Sequence, residues 1–255
     1  MKIITTKEAL FNVLNEANKV IPLRTTLPVL SCVLLDAKGE DLNTTSTDLE
    51  QTIIIKTKAQ VLQEGQTALP ATRFLEIISA LPVGDISINT DEDSLETEIS
   101  SSQGVYKIIG KDPGEFPEQP ELKVEQKIIL EGEEFLNIIN TTSFAVSKDD
   151  LKPALCGIYL NIENNTITAV STDGHRLVKY TQTTKENNKQ GSIIVPVKFF
   201  NILKNNIKTE EQVEINVGEN HINISNKQNN TITRIIKETF PDFNSVIPED
   251  MKIKA

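Results

Sequence analysis

Residues 28–48 read PVLSCVLLDAKGEDLNTTSTD, and residues 153–173 read PALCGIYLNIENNTITAVSTD. The two stretches align without a gap at an offset of 125, sharing Pro, two Leu and the closing Ser-Thr-Asp. Working outward, Ile3–Leu14 falls on Ile128–Ile139 at the same offset, and Pro70 and Phe116-Pro117 find Pro196 and Phe240-Pro241 within one residue of it. A chain that repeats itself over this distance is built from two similar units, so the repeat limits the fold before any motif does.

At 255 residues each unit is long enough to bury its own core, and the repeat places the domains at 1–120 and 121–255. Hydrophobic residues make up 38% and aromatics only 5%, with no Trp, so Ile, Leu and Val must fill those cores. The composition is that of an ordinary globular chain. Cys32 and Cys156 lie in strand-like apolar runs and read as buried free thiols of a reducing, cytoplasmic compartment, with no leader ahead of them. No apolar run approaches the ~20 residues of a membrane span. A net charge of −10 argues against indiscriminate coating of nucleic acid. Residues 1–120 carry 10 basic and 18 acidic side chains, and the remainder 16 and 18. Acid gathers at turn-like stretches such as Asp91-Glu92-Asp93.

Local patterns fill in the units. Thr5 and Glu8 have capping-box spacing, and Leu10, Val13, Leu14 and Ala17 recur at helical intervals, which predicts a helix near 6–19. Phe135, Leu136, Ile138 and Ile139 predict its counterpart near 132–143. Pro70 and Pro196 each stand where a missing N–H costs nothing, which predicts helices over Ala71–Ala80 and Val197–Asn206. β-Branched runs at 51–58, 85–90, 105–109, 166–170, 213–217 and 231–237, separated by turn residues, predict strands. The fold class is therefore α+β: antiparallel sheet packed on two helices, used twice.

Charge is sorted on the predicted helices. Asn201, Lys204, Asn205 and Lys208 fall at i, i+3, i+4 and i+7, a basic and amide stripe opposite Phe200, Ile202 and Leu203. The run Thr172-Asp173-Gly174-His175-Arg176-Leu177 places an Asp and a His two residues apart, the germ of a metal- or nucleotide-dependent hydrolase. Gly174 points to a turn, however, and the sequence offers no phosphate loop, CxxC, HExxH or GxSxG partner. A peptide-binding adaptor built from repeats is a further reading of the same pattern.

Several motifs together resemble the bacterial DNA polymerase III beta subunit family of sliding clamps. They are Lys2-Ile3 with its helix, Arg24 with Leu27-Pro28-Val29-Leu30, Ser46-Thr47-Asp48-Leu49-Glu50, Leu155-Cys156-Gly157, the run 172–177, Phe240-Pro241-Asp242-Phe243 and Val246-Ile247-Pro248. The resemblance extends over essentially the whole chain and implies a non-catalytic subunit of a head-to-tail homodimeric ring, three similar domains per subunit. Helices would line the hole and sheets face outward. Such a ring encircles double-stranded DNA and tethers the polymerase III catalytic subunit, the clamp loader, and other polymerases and repair proteins with clamp-binding motifs. It implies no cofactor, no metal and no catalytic residue. The family has three repeats, whereas Ile253-Lys254-Ala255 follows soon after the second; a chain carrying two is expected to be monomeric or weakly associated.

The resemblance also assigns residues. Leu155, Thr172, Gly174, His175, Arg176, Leu177, Pro241 and Val246 match the second domain's share of a peptide-binding cleft: Leu, Pro and Val as an apolar cup, Thr172 and His175 as a hydrogen-bonding rim. Ser245 stands where the family has a basic residue. Arg24, Lys148 and Lys152 join Lys204 and Lys208 as DNA-facing cations, attracting phosphates without reading bases. The subunit junction falls on Arg73, Phe74, Ile77 and Ile78 with Val105, Tyr106, Lys107 and Ile108.

Overall fold

The computed structural model describes residues 1–248, without the side chains of 185–189; Ile253-Lys254-Ala255 lies outside the described residues. The fold is α+β with antiparallel sheets, and the chain divides into two compact units. No helix among the described residues is long and apolar enough to cross a membrane.

The first unit is Met1–Leu122 joined by Asn223–Thr233. Its elements are β1 (Lys2–Thr6), α1 (Lys7–Ala17), β2 (Cys32–Lys38), β3 (Asp41–Thr47), β4 (Gln51–Lys58), β5 (Gln60–Gln63), β6 (Gly65–Pro70), α2 (Ala71–Ala80), β7 (Asp85–Thr90), β8 (Glu96–Ser101) and β9 (Gly104–Ile109). One sheet runs β5-β1-β7-β8-β9, and a second runs β4-β3-β2-β6. The second unit, Lys123–Ile222 with the segment that begins at Arg234, holds β10 (Gln126–Glu131), α3 (Gly132–Thr142), β11 (Gly157–Thr172), β12 (Leu177–Pro196), α4 (Val197–Leu203) and β13 (Gln212–Val217). β11 and β12 form one long antiparallel pair whose register shifts around Asn164. A hairpin of β14 (His221–Ser225) and β15 (Asn229–Arg234) follows. Its residues 229–233 belong to the first unit, where they pair with Gln51–Ile55 along β4.

The helices form where apolar residues recur every three to four positions. α1 buries Leu10, Val13, Leu14 and Ala17. Its N-cap is Thr6, whose hydroxyl accepts from the Ala9 N–H at 3.3 Å; the Thr5/Glu8 capping box expected from the sequence does not form, because α1 begins at Lys7 and so puts Thr6, not Thr5, at the cap. α3 has the true capping box, with Glu131 and Glu134 each bonding the other's backbone. It buries Phe135, Ile138 and Ile139, and Phe135 meets Phe200 of α4 with ring centroids 5.9 Å apart. α4 stops at Leu203, three residues earlier than expected. Burial of each such large apolar side chain stabilises the fold by about 2 kcal/mol. Cys32 is buried as expected, but Cys156 is only partly so.

The repeat is visible bond by bond. Ser46 Oγ donates to the carbonyl of Ala17 at the end of α1, and Ser171 Oγ donates to that of Thr142 at the end of α3, both at 2.6 Å and both buried. The next residue closes a turn: Thr47 Oγ1 donates to the Gln51 carbonyl at 2.9 Å and accepts from Leu49, as Thr172 Oγ1 donates to the Arg176 carbonyl at 2.7 Å and accepts from Gly174. The Asp that follows accepts two backbone N–H groups, from Glu50 and Gln51 in the first copy and from His175 and Arg176 in the second. The central residue is left-handed in both, Leu49 at φ +75° and Gly174 at φ +90°. Glycine suits that conformation; leucine bears strain of about 1 kcal/mol there.

Ser46→Ala and Ser171→Ala should each remove a buried hydrogen bond to a helix-end carbonyl and cost about 1 kcal/mol; the Ala17 carbonyl keeps the Val20 N–H at 3.3 Å. Urea unfolding should show comparable losses for the two variants. Loss in one copy with none in the other would break their equivalence.

Candidate functional site

The run 172–177 is a turn before it is anything else. Asp173 accepts from the backbone N–H groups of Arg176 and His175, each at 3.0 Å, and its second oxygen meets Arg176 Nε at 3.0 Å. Those bonds, the Arg176 and His175 amides foremost, hold its carboxyl down at about 2. A carboxylate so committed makes a poor general base. The first copy builds the same turn with Leu49-Glu50 in place of Gly174-His175. The Asp-x-His spacing therefore comes from a structural turn, which removes the basis of the hydrolase reading.

Beside this turn the second unit carries an apolar cluster. Val170, Ile194 and Phe240 are its buried centre, and Ala154, Leu155, Tyr159, Leu177, Ile236 and Phe243 pack partly buried against them. Tyr159 stacks on Phe240 with centroids 5.0 Å apart, and Phe243 closes on both at 5.9 and 6.5 Å. Lys179 Nζ stands 5.5 Å over the Phe243 ring, and the Arg176 guanidinium 5.7 Å over that of Phe144. Leu155 is set by the short turn Pro153–Cys156 and by its carbonyl, which accepts from Ser147 N–H at 2.8 Å.

The expected cleft residues thus gather, with differences. Leu155 and Leu177 share the cluster, while Pro241 and Val246 stand exposed on the segment after Phe240, Val246 at 66%. Gly174, His175 and Arg176 are exposed at the rim. Thr172 corrects the expected rim: its hydroxyl both donates and accepts within the turn, so its hydrogen-bonding capacity is spent there. Ser245 is likewise held, donating to the Asp242 carbonyl at 2.8 Å. Sequence reasoning missed Tyr159, Phe240 and Phe243. The Phe-Pro-Asp-Phe run was its available signal, but only Pro241 was drawn from it.

Arg24, Lys148, Lys152, Lys204 and Lys208 are all exposed, and none has an ion-pair partner among the described residues. Other cations are engaged: Lys19 with Glu16, Lys56 and Lys58 with Asp41, and Lys127 with Glu214. Lys204 and Lys208 follow α4 instead of riding on it, where positive charge suits the helix's negative end.

The junction residues divide. Phe74, Ile77, Ile78 and Ile108 are at most 8% exposed; they are core of the first unit, and this corrects their assignment to an interface, because helical and strand periodicity turn them inward. Arg73, Val105, Tyr106 and Lys107 are exposed, Arg73 pairing with Glu76 and Lys107 with Glu96. Ile109, the next residue of the same strand, is 71% exposed.

Comparison with known proteins follows the same division. The N-terminal domain of the DNA polymerase III beta subunit matches residues 1–120, and its central domain matches residues 129–242. The beta sliding clamp of Chlamydia pneumoniae is 28% identical over 255 residues, all of this chain and 69% of the relative. That of Staphylococcus aureus is 30% identical over 250 residues, 94% of this chain and 66% of the relative. Among solved structures, the Bacillus subtilis sliding clamp is similar with a TM-score of 0.94 at 25% identity, covering 98% of this chain and 68% of that one. The Pseudomonas aeruginosa clamp bound to griselimycin gives 0.92 at 26%, with the same coverage of 98% and 68%.

The turn geometry sets a pH dependence. Because Asp173 titrates at about 2 against an ordinary 3.8, its contribution to the turn is present above pH 4 and lost as pH falls from 4 to 2. Carboxyl NMR should find the midpoint near 2, unmoved by His175→Ala. Arg176→Ala should raise it only partly, since the backbone donors remain; a midpoint near 4 in the unmodified chain would show that the turn does not hold.

Proposed function

The chain belongs to the DNA polymerase III beta subunit family, and on that premise we propose that it acts as a sliding-clamp subunit: part of a ring that encircles duplex DNA and tethers the replicative polymerase. The observation that carries the docking half of this reading is the set of partly buried apolar side chains Leu155, Leu177 and Phe243 packed on Phe240, which we read as an apolar cup with an aromatic floor. A short peptide can place leucine and phenylalanine side chains in such a cup. Leu155, Leu177, Pro241 and Val246 supply the apolar contact, and Gly174, His175 and Arg176 the rim. Exposed apolar pockets with a few polar edges recognise peptides in this way.

The five free cations suit the other half. A tether that slides needs weak, sequence-independent attraction to phosphate, which a few unpaired Lys and Arg side chains supply without fixing register. We assign Arg24, Lys148, Lys152, Lys204 and Lys208 to that role, and the exposed Arg73, Val105, Tyr106 and Lys107 to the junction of a homodimeric ring in a three-domain subunit. The protein would be a non-catalytic processivity subunit of the polymerase III holoenzyme, working in the cytoplasm without a cofactor. Its partners would be the polymerase III catalytic subunit, the clamp loader, and other polymerases and repair proteins that carry clamp-binding motifs.

A fluorescent peptide of the Gln-Leu-x-Leu-Phe type tests the cup. Leu177→Ala removes ~60 Å² of apolar contact, which at roughly 25 cal/mol per Å² weakens binding by about tenfold. His175→Ala, at the solvated rim, should weaken it less. Circular dichroism establishes that each variant is folded; undiminished binding by folded Leu177→Ala would remove the cup from the site. Duplex DNA association that falls steeply with salt separates a clamp from a peptide adaptor, which would show none.

A further inference from the structure

Arg176 is held from two sides. Its Nε donates to Asp173 Oδ2 at 3.0 Å, and its guanidinium stands 5.7 Å over the ring of Phe144. Both holds trace back to the buried serine of this copy. Ser171 Oγ donates to the Thr142 carbonyl, which sets the end of α3 against the strand that runs into the turn. Phe144 lies in the short helical turn Ser143–Ala145 directly after that carbonyl, and Asp173 and Arg176 lie in the turn itself. Phe144 is 57% exposed, and its one ring contact among the described residues is the guanidinium. At the offset of 125 the first copy has Lys19 in place of Phe144 and Gln51 in place of Arg176; Lys19 is paired with Glu16, and Gln51 is buried. The ring and its cation therefore belong only to the copy whose turn borders the apolar cluster.

We propose that Phe144 positions Arg176, and that Arg176 so held takes a carboxylate of the docking peptide. An arginine carries its N–H donors in a planar fork. Nε is spent on Asp173, whereas the Nη hydrogens have no partner among the described residues. With Nε fixed by a carboxylate and the guanidinium resting on a ring, the fork has little freedom to turn, and its Nη edge is left to bind a second acceptor through two parallel bonds. A carboxylate matches that edge, a neutral amide offers one oxygen where a carboxylate offers two, and an ammonium is repelled. Asp173 cannot fill the edge itself, since its oxygens already take two backbone N–H groups and Nε. A cation over an exposed ring gains little on its own; the gain here is orientation, fixed before the peptide arrives. In an extended peptide alternate side chains face the same way, so when two leucines enter the cup the residue between them faces the rim. The proposal rests on the docking reading and gives the peptide a chemical class: apolar side chains for the cup, with an acidic one between them.

Titration of two labelled peptides, Gln-Leu-Asp-Leu-Phe and Gln-Leu-Asn-Leu-Phe, tests it. The unmodified chain should bind the acidic peptide about fivefold more tightly than the neutral one. Arg176→Lys keeps the charge but loses the fork, and should bring that ratio below about twofold. Phe144→Leu keeps apolar bulk but not the ring face. It should lower the ratio about threefold while the neutral peptide binds within about twofold of before, and Phe144→Tyr should keep the original ratio. Circular dichroism establishes that each variant is folded. Equal binding of the two peptides by the unmodified chain would overturn the proposal and leave the docking site standing. So would a Phe144→Leu variant that weakens both peptides alike or leaves their ratio unchanged. Binding of neither peptide would remove the docking reading itself, and this proposal with it.

Discussion

Everything in this fold hangs from a buried hydroxyl that closes the end of a helix. Ser46 and Ser171 each donate to the last turn of the helix that opens their repeat, across 29 residues of chain. A helix C-terminus has carbonyls without intrahelical donors, and a strand that supplies one fixes helix and sheet together. The Thr and Asp that follow then fold the chain back on itself, bonding the backbone of the next strand before it begins. Once that turn is set, the register of β3 with β4, and of β11 with β12 as far as Thr166 opposite Thr183, follows from it, Thr47 opposite Thr52 and Thr172 opposite Leu177.

Much of this was legible because the forces are local. The matched Ser-Thr-Asp triplets, the prolines before α2 and α4 and the apolar spacing of α1 and α3 each act within a few residues. The failures have equally physical causes. Thr5 and Thr6 are chemically alike, and only the start of α1 at Lys7 decides which becomes the cap. Lys204 and Asn205 continue a helical stripe in sequence, yet α4 has already ended at Leu203. Phe74 and Ile78 look the same as interface or as core; which they are depends on what packs over them. The aromatic floor of the cup was hidden because Tyr159, Phe240 and Phe243 come from strand and loop segments about 80 residues apart, and no local period connects them.

Function has been placed where the two copies differ. The turn is common to both, but the first copy presents Leu49 and Glu50 where the second presents Gly174 and His175. Strand β4 follows with Thr52, and β12 with Leu177, which has the bulk to wall a pocket. In the second unit Phe240 and Phe243 complete that pocket. The repeat supplies a common frame, and it is on the side chains where the copies differ that the proposed docking surface rests. The same logic explains the suggestive spacing of Asp173 and His175: the carboxylate is committed by the turn that both copies build.

Residue-resolved amide hydrogen exchange measures the hold of the buried serine hydroxyl most directly. In Ser171→Ala the amides at the end of α3 and along the Ser171–Val178 pairing should exchange faster, while those of β3 and β4 stay as protected as before. Unchanged exchange around Ser171, or equal loosening in both units, would contradict a tie between helix and sheet made separately in each copy.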